Sequence, residues 1–403
     1  MTNYESILAH CKSNSALSAK VVDDWLIPYA AVKNDLEKLF LQRIKPYFNS
    51  AAKLGEDNMG MLISQFMGHH LFKKGGLIKK YLNQSLVKQL PSKEYDFLEF
   101  QASNPWRFCF SVIVDEPAMD FYLMEDVFTE ERFLLYSPGT SVTIRERGGI
   151  LLWFNLIAYN GQCWQTFGPV VGYNSFDADD IFFFATEVSN SIQDEKTLLE
   201  HLEKDPMPYI MLITGAAYPA TFHKEEEIIY AVTVVEDVDL SMEGIEKTFE
   251  VEEARGIYQL TQIGWGEFPY FNRAYYNKRE KEVLLYSMTD IGFRNLAKAV
   301  AKYGVKQDEY PQIRVHLPIL TTIKQILGRE VILNEYEEYF QEAAPEPESG
   351  EINKLNELIG LLLPALNAGQ TPDIEAAAKK VGVDLETARE MVKMFQEQIG
   401  KRR

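Results

Sequence analysis

Residues Gly149–Tyr173 read GILLWFNLIAYNGQCWQTFGPVVGY, and no other stretch of the 403-residue chain restricts the fold as much. The run Ile150–Tyr159 is apolar almost throughout, which suits a strand only when both of its faces are covered. Asn160-Gly161 offers the two residues with positive φ that a type I′ turn needs, so the spacing predicts two strands joined directly. Upstream, Trp106, Phe108, Phe110, Val112 and Val114 alternate with Arg107, Cys109, Ser111 and Asp115. That alternation reads as a half-buried strand. FYLMEDV and RFLLYS read as two more, the second broken by Ser137-Pro138-Gly139. Strands packed this closely in sequence make a compact barrel or a strongly bent sheet.

The flanks carry other periods. In residues 1–92 the spacing is helical: Leu36, Leu39, Phe40, Ile44 and Tyr47 share one face, and Met59, Leu62, Ile63, Phe66 and Met67 share another. A third helix follows Gly75-Gly76, with Ile78, Leu82 and Leu86 inward, and ends at Pro91. Residues 93–190 hold the β-rich unit and close with a helix, DADDIFFFATEV, capped by an aspartate. In residues 191–341, YIMLITGA, EIIYAVTVVED and IRVHLPI are expected as strands. FEVEEARGIYQLTQI and FNRAYYNKREKEVLLYSMT are expected as hairpins, the first turning on Arg255-Gly256. Asp290 is expected to cap a helix that buries Phe293, Leu296, Ala297, Val300 and Tyr303 and stops at Gly304, and a further helix is expected around LTTIKQILG. Ala343–Glu351, AAPEPESGE, is too polar to pack and places a flexible linker over 342–350. Residues 351–403 read as three short helices, with Pro372 at a start, Gly382 at a stop and Asp384 at the next cap. The fold class is therefore α+β: a helical N-terminal region, a barrel-like antiparallel β unit, a second α+β unit, and a C-terminal three-helix module on a linker.

A net charge of −18 disfavours nucleic acid and anionic lipid for the chain as a whole. Up to Pro91, however, twelve Lys/Arg stand against seven Asp/Glu. Three scattered cysteines, Cys11, Cys109 and Cys163, fit neither a disulfide framework nor a zinc cluster and point to a reducing compartment. The opening MTNYESILAHCKSN has no apolar signal region, and no apolar run reaches the ~20 residues of a membrane span. A cytoplasmic protein without membrane contact is expected.

Candidate sites follow from residue type. Lys73, Lys74, Lys79 and Lys80 flank two glycines and are candidates to hold a phosphate at the start of the third helix. Trp153, Tyr159 and Trp164 are candidates for an aromatic ligand or peptide surface, Trp164 being the most exposed on its pattern. Arg389 and Lys393 lie in the last helix of the C-terminal module, whose helix–glycine–helix pattern suits protein docking. Its acidic opening, Asp384 and Glu386, opposes a phosphate backbone. Asp177, Asp179 and Asp180 read as a helix cap rather than a cation loop. Adjacent His69 and His70 diverge on a helix; His10, His201, His223 and His316 stand apart in sequence, His316 on the polar face of a strand. No catalytic signature is present, and no cofactor or metal is expected.

The segments EERFLLYSPGTS, LLWFNLIAYNGQCWQTFGPVVGY and GWGEFPYFNRAYY give residues 90–340 a resemblance to a group of bacterial proteins of the Bacteroidota type, which implies no particular activity. Residues 121–173 are similar to the small β-barrel of SEC-C zinc-module proteins, but the Cys/His cluster of those proteins is absent, so no metal ligand carries over. The sequence favours a non-catalytic adaptor or binding protein with protein partners. Two alternatives remain open. One is a nucleic-acid- or ribosome-associated factor using the basic N-terminal region or the C-terminal module. The other is an enzyme with a site assembled between the two central units.

Overall fold

About 47% of the chain is helical and 23% extended in the computed structural model, so the fold is α+β. The structure describes residues 4–340, 358, 374–382, 385, 389 and 392. The chain divides into two compact units, Met1–Tyr336 and Glu337–Arg403. No helix among the described residues is long and apolar enough to cross a membrane.

The first unit opens with α1 (Tyr4–Ser18), a π-helical segment (Ala19–Leu26) and α2 (Ile27–Lys33), one continuous run of helix. The widened turns sit directly before Pro28, whose missing N–H leaves the carbonyl of Asp24 without its α-helical donor. Next come α3 (Leu36–Ile44), α4 (Phe48–Ala51), α5 (Gly55–Phe72), α6 (Ile78–Leu82), α7 (Ser85–Lys88) and α8 (Ser92–Ser103). Leu36, Phe40, Ile44, Leu62, Phe66 and Met67 are buried, as their spacing requires. The expected third helix is instead two short ones. An extended Gln84 separates them, and the change of phase exposes Leu86 and buries Val87.

The barrel is closed and five-stranded, in the order β1 (Arg107–Ala118), β2 (Phe121–Asp126), β3 (Arg132–Tyr136), β5 (Trp164–Tyr173), β4 (Leu152–Tyr159). Within the barrel only β3 and β5 pair in parallel, and the connection between them runs through α9 (Pro138–Arg147) and then β4; α9 is begun by Ser137 accepting a hydrogen bond from the Thr140 N–H. Ser137-Pro138-Gly139 thus ends a strand and starts a helix. Cys109, Tyr122, Met124, Phe133, Leu135, Trp153 and Ile157 fill the interior. Phe108, Phe110, Phe154 and Leu156 point the other way, into a core shared with the helices. The expected half-burial of β1 therefore fails over Phe108–Ser111, where both faces are covered, and also at Val114, exposed where the strand outruns the barrel. Strand β4 is buried on both faces, as its composition demands.

The β4–β5 turn differs from the expected two-residue type. Tyr159 lies opposite Trp164, so four residues intervene. Gly161 has φ +96°, whereas Asn160 does not take the left-handed region. Asn160 shapes the turn with its side chain instead, its Oδ1 accepting from the N–H groups of Gln162 (2.8 Å) and Cys163 (2.9 Å).

After the barrel come α10 (Ala178–Val188), α11 (Glu195–Lys204) and α12 (Met207–Met211). YIMLITGA is helical, ending in a 3-10 turn over Leu212–Gly215, because a fully buried apolar run reads alike for strand and helix. The small hairpin β6 (Phe222–His223) and β7 (Glu226–Glu227) leads to a six-stranded antiparallel sheet. Its order is β13 (Ile313–His316), β8 (Ile229–Val235), β12 (Glu282–Ser287), β11 (Arg273–Asn277), β10 (Ile257–Gln262), β9 (Phe249–Ala254). Both expected hairpins form. Helix α13 (Asp290–Ala301) covers one face with Phe293, Leu296 and Val300. Its cap is Thr289 rather than Asp290, one residue from the expected position. The final helix of this unit is α14 (Leu317–Leu327).

One apolar core runs from Val21 through the outer barrel face to Ile326 and joins parts of the regions 1–92, 93–190 and 191–336, while the six-stranded sheet and α13 enclose a second core. In the second unit, helix Ile374–Val381 buries Ala377, Ala378 and Val381 with Leu358 and Val392. Gly382, at φ +74°, follows it. The linker 342–350, Pro372 and Asp384 lie outside the described residues.

Candidate functional site

The barrel and the N-terminal helices enclose a cleft of about 480 Å³. One wall is the end of α1 and the π-helical segment, which bring Asn14, Ser18 and Asp23 to it; α5 contributes Ser64 from the other side. The floor is apolar, made by Phe97, Trp106 and Phe167. The closeness of α5 to the barrel depends on Gly68, where a Cβ would stand 2.8 Å from Phe167 Cε1 and 3.2 Å from Trp106 Cζ3.

Gln101 and Gln165 at the floor are fixed by their neighbours. Gln101 accepts from Trp106 Nε1 at 2.7 Å and donates to the Tyr159 carbonyl at 3.1 Å. Gln165 accepts from Asn14 Nδ2 (2.9 Å) and Asn160 Nδ2 (2.7 Å) and donates to the Cys11 carbonyl (3.2 Å) and Ser15 Oγ (3.0 Å). By contrast, no described residue gives the side chains of Ser18, Asp23 or Ser64 a hydrogen bond or ion pair. The π geometry matters here: extra residues per turn rotate Asp23 relative to α1, and such widened turns recur at functional sites. Asp23 is open to solvent on one side, yet packing around its carboxyl, reinforced by neighbouring Asp24, pushes its pKa up to about 6. At neutral pH it is an ionised group at the mouth of a cleft whose other described lining residues are uncharged.

A second constellation was only half legible. Asp177 caps α10 and forms a capping box with Asp180, as the acidic run suggests. The folded chain then brings His316 to them. Its Nδ1 lies 2.6 Å from Asp180 Oδ2 and its backbone N–H donates to Asp180 Oδ1 at 2.8 Å. Far from facing solvent on a polar strand face, His316 is 1% exposed, because α10 lays its first turn on the end of β13. Arg314 completes the cluster, reaching Asp177 at 2.9 Å, Asp290 at 3.1 Å and Glu227 at 3.2 Å. Freed from capping α13, Asp290 is available for this contact. Burial opposes a charge on His316, but the bond to Asp180 and the neighbouring carboxylates outweigh it and raise its pKa to about 9. Burial raises Asp180 to about 6. His316 Nε2 stands 3.0 Å from Glu227 Oε1 but off the line of a directed hydrogen bond. The ligand atoms of Asp177, Asp180 and His316 lie close enough to hold a metal ion. Arg314, however, already supplies the cation, and each carboxylate has a partner, so the cluster is a closed ion network joining α10, β13, α13 and β7.

The four lysines do not converge. The Lys73 ammonium donates to the Glu203 carbonyl at 3.0 Å, and the Lys74 backbone N–H donates to the Glu203 carboxylate at 3.1 Å. The same carboxylate lies 3.3 Å from buried His69 Nε2, so α11 occupies this corner. Burial lowers the Lys73 pKa. Lys79 and Lys80 are exposed on α6, which at five residues is too short to present an N-terminal anion site. Of the aromatic set, Trp153 is inside the barrel, whereas Tyr159 and Trp164 pair across β4 and β5 with ring centroids 5.5 Å apart. Trp164 is half-buried rather than open, under the Arg107 guanidinium at 5.0 Å. Arg389 is exposed; Lys393 lies outside the described residues. Sequence reasoning missed Asp23, Ser18 and Ser64. Asp23 precedes Pro28 by five residues within a helical stretch, and that proline was the available signal for a widened turn.

Comparison with protein-family models, curated proteins and solved structures finds no match. Neither resemblance seen in the sequence therefore adds a residue to this site.

Proposed function

We propose that the chain is a non-catalytic binding protein whose first unit receives a small, protonated amine bearing hydrogen-bonding groups. One observation carries this reading: among the described residues the one charged group lining the cleft is Asp23, and its side chain and those of Ser18 and Ser64 have no described partner. A cation gains from the carboxylate, hydroxyl or amide groups on the ligand satisfy Ser18 and Ser64, and Phe97, Trp106 and Phe167 offer an apolar face. The volume lies in the usual range for small-molecule sites. Anionic ligands find no basic group among the described lining residues. The reading keeps the expected binding role but moves it from the aromatic strand surface to the cleft. Protein docking by the second unit stays part of the proposal, supported by the small separate core around Ala377 and Ala378.

Crystals soaked with equal concentrations of ethanolamine, glucosamine, glucose and inorganic phosphate test the cleft. The amines are expected beside Asp23 in the wild type and lost in Asp23→Asn. Amines absent from the cleft, or phosphate bound there, would overturn the reading.

A further inference from the structure

Helix α1 is held on the barrel by an unusual contact. Cys11 is its one buried residue, and its sulfur stands 3.4 Å from that of Cys163, in the β4–β5 turn. Both thiols are free and buried. Asn160, whose carbonyl also lies 2.7 Å from His10 Nε2, extends its Nδ2 toward both sulfurs, to 3.3 Å from Cys11 and 3.5 Å from Cys163. The Asn160 amide thus donates toward both sulfurs, and the two thiols share a hydrogen bond in which either can be the donor. Around the pair lie Phe121 and Tyr136, with Tyr4, Ile7 and Leu8 of α1 packed against them.

We propose that Cys11 and Cys163 are an oxidisable dithiol, closed to a disulfide by a hydroperoxide, that fastens α1 to the barrel. The pairing is an observation about thiols and stands apart from the cleft reading. Cys11, carried by α1, is the attacking sulfur, and Cys163, held in the β4–β5 turn, resolves it; the hydrogen bond between the two favours a thiolate on one of them. In the first step the Cys11 thiolate attacks the O–O bond of hydrogen peroxide; an S–O bond forms, the O–O bond breaks, and hydroxide leaves as Cys11 becomes a sulfenic acid. In the second, the Cys163 sulfur attacks Cys11, the S–O bond breaks, and water leaves carrying the Cys163 proton. The two thiols lose two electrons and the peroxide gains them. A disulfide requires sulfurs at about 2.0 Å, a closure of roughly 1.4 Å shared between the helix and the turn. Access comes from α1 itself, which buries Cys11 alone and whose local opening uncovers it.

Cys109 is the internal control. It is buried in the barrel, 3.2 Å from Asp126 Oδ2, and both burial and that carboxylate hold its thiol well above its ordinary pKa. The folded full chain is treated with hydrogen peroxide, its remaining thiols are alkylated after denaturation, and the digest is read by mass spectrometry. A Cys11–Cys163 linked peptide, lighter by two hydrogens, is expected, with Cys109 recovered alkylated and Cys109→Ser cross-linking as the wild type does. In Cys163→Ser, oxidation stops at a Cys11 sulfenic acid trapped by dimedone, formed about tenfold or more faster than any at Cys109. Recovery of all three thiols, a link formed only in urea, or oxidation at Cys109 as fast as at Cys11 would overturn the proposal.

Discussion

His316 shows at the scale of single residues how a strand position acquires its chemistry from an element 136 residues away. Its pKa is raised in the fold to about 9, above the ~6.5 of an unfolded chain. The folded state thus holds a proton that the unfolded state releases. The resulting stabilisation is complete below pH about 6.5 and is lost as the pH rises through about 9. With His316 almost fully buried, a shift of this size corresponds to about 3 kcal/mol. Urea unfolding of the wild type should show stability falling by that order between these pH values, and His316→Gln should be flatter across the same window. Equal slopes for both proteins would contradict the network. The alternation around Ile313 and Val315 gave His316 the correct side of its strand. It could not say that Asp180 covers that side, because the pairing exists only once α10 packs on β13.

At the scale of elements, periodicity served where one face is apolar and failed where burial is complete. The stripes of α3 and α5 were readable because solvent imposes the pattern on their outer faces. YIMLITGA has almost no outer face, only Ile213 and Thr214 being half-buried, so little distinguished its helix from a strand. The β4–β5 turn was expected as two residues, Asn160-Gly161, but spans four, and the Asn160 side chain adds bonds to the Gln162 and Cys163 N–H groups beside the backbone bond from Asn160 to Cys163. The approach of α5 to β5 offers a test of packing. Gly68→Val should cost about 1–3 kcal/mol by overpacking against Phe167 and Trp106. Gly60→Val, on the same helix with nothing within 4 Å of a Cβ, should cost less. Denaturant midpoints for the two variants compare them directly, and similar losses would mean that α5 is not pinned at Gly68.

For the whole molecule, the sequence proposed four folded regions and a linker; one core joins parts of the first three, which lie in a single compact unit, and a second lies under α13. A chain ending at Tyr336 should therefore keep the unfolding midpoint of the main transition of the full chain, as followed by near-ultraviolet circular dichroism. A large drop would show that the second unit supports the first. The cleft itself was invisible in the sequence, because its walls come from α1, the π-helical segment, α5 and the barrel, and no local pattern joins them. The account rests on Asp23 in that cleft, and its carboxyl can be watched directly by carbon-13 NMR of aspartate-labelled protein, assigned with Asp23→Asn. Without ligand it should titrate near 6. Ethanolamine should lower that midpoint, because the cation favours the ionised carboxylate, and binding should weaken as the pH falls through the same range. A carboxyl whose resonance and midpoint ignore the amine would contradict the account.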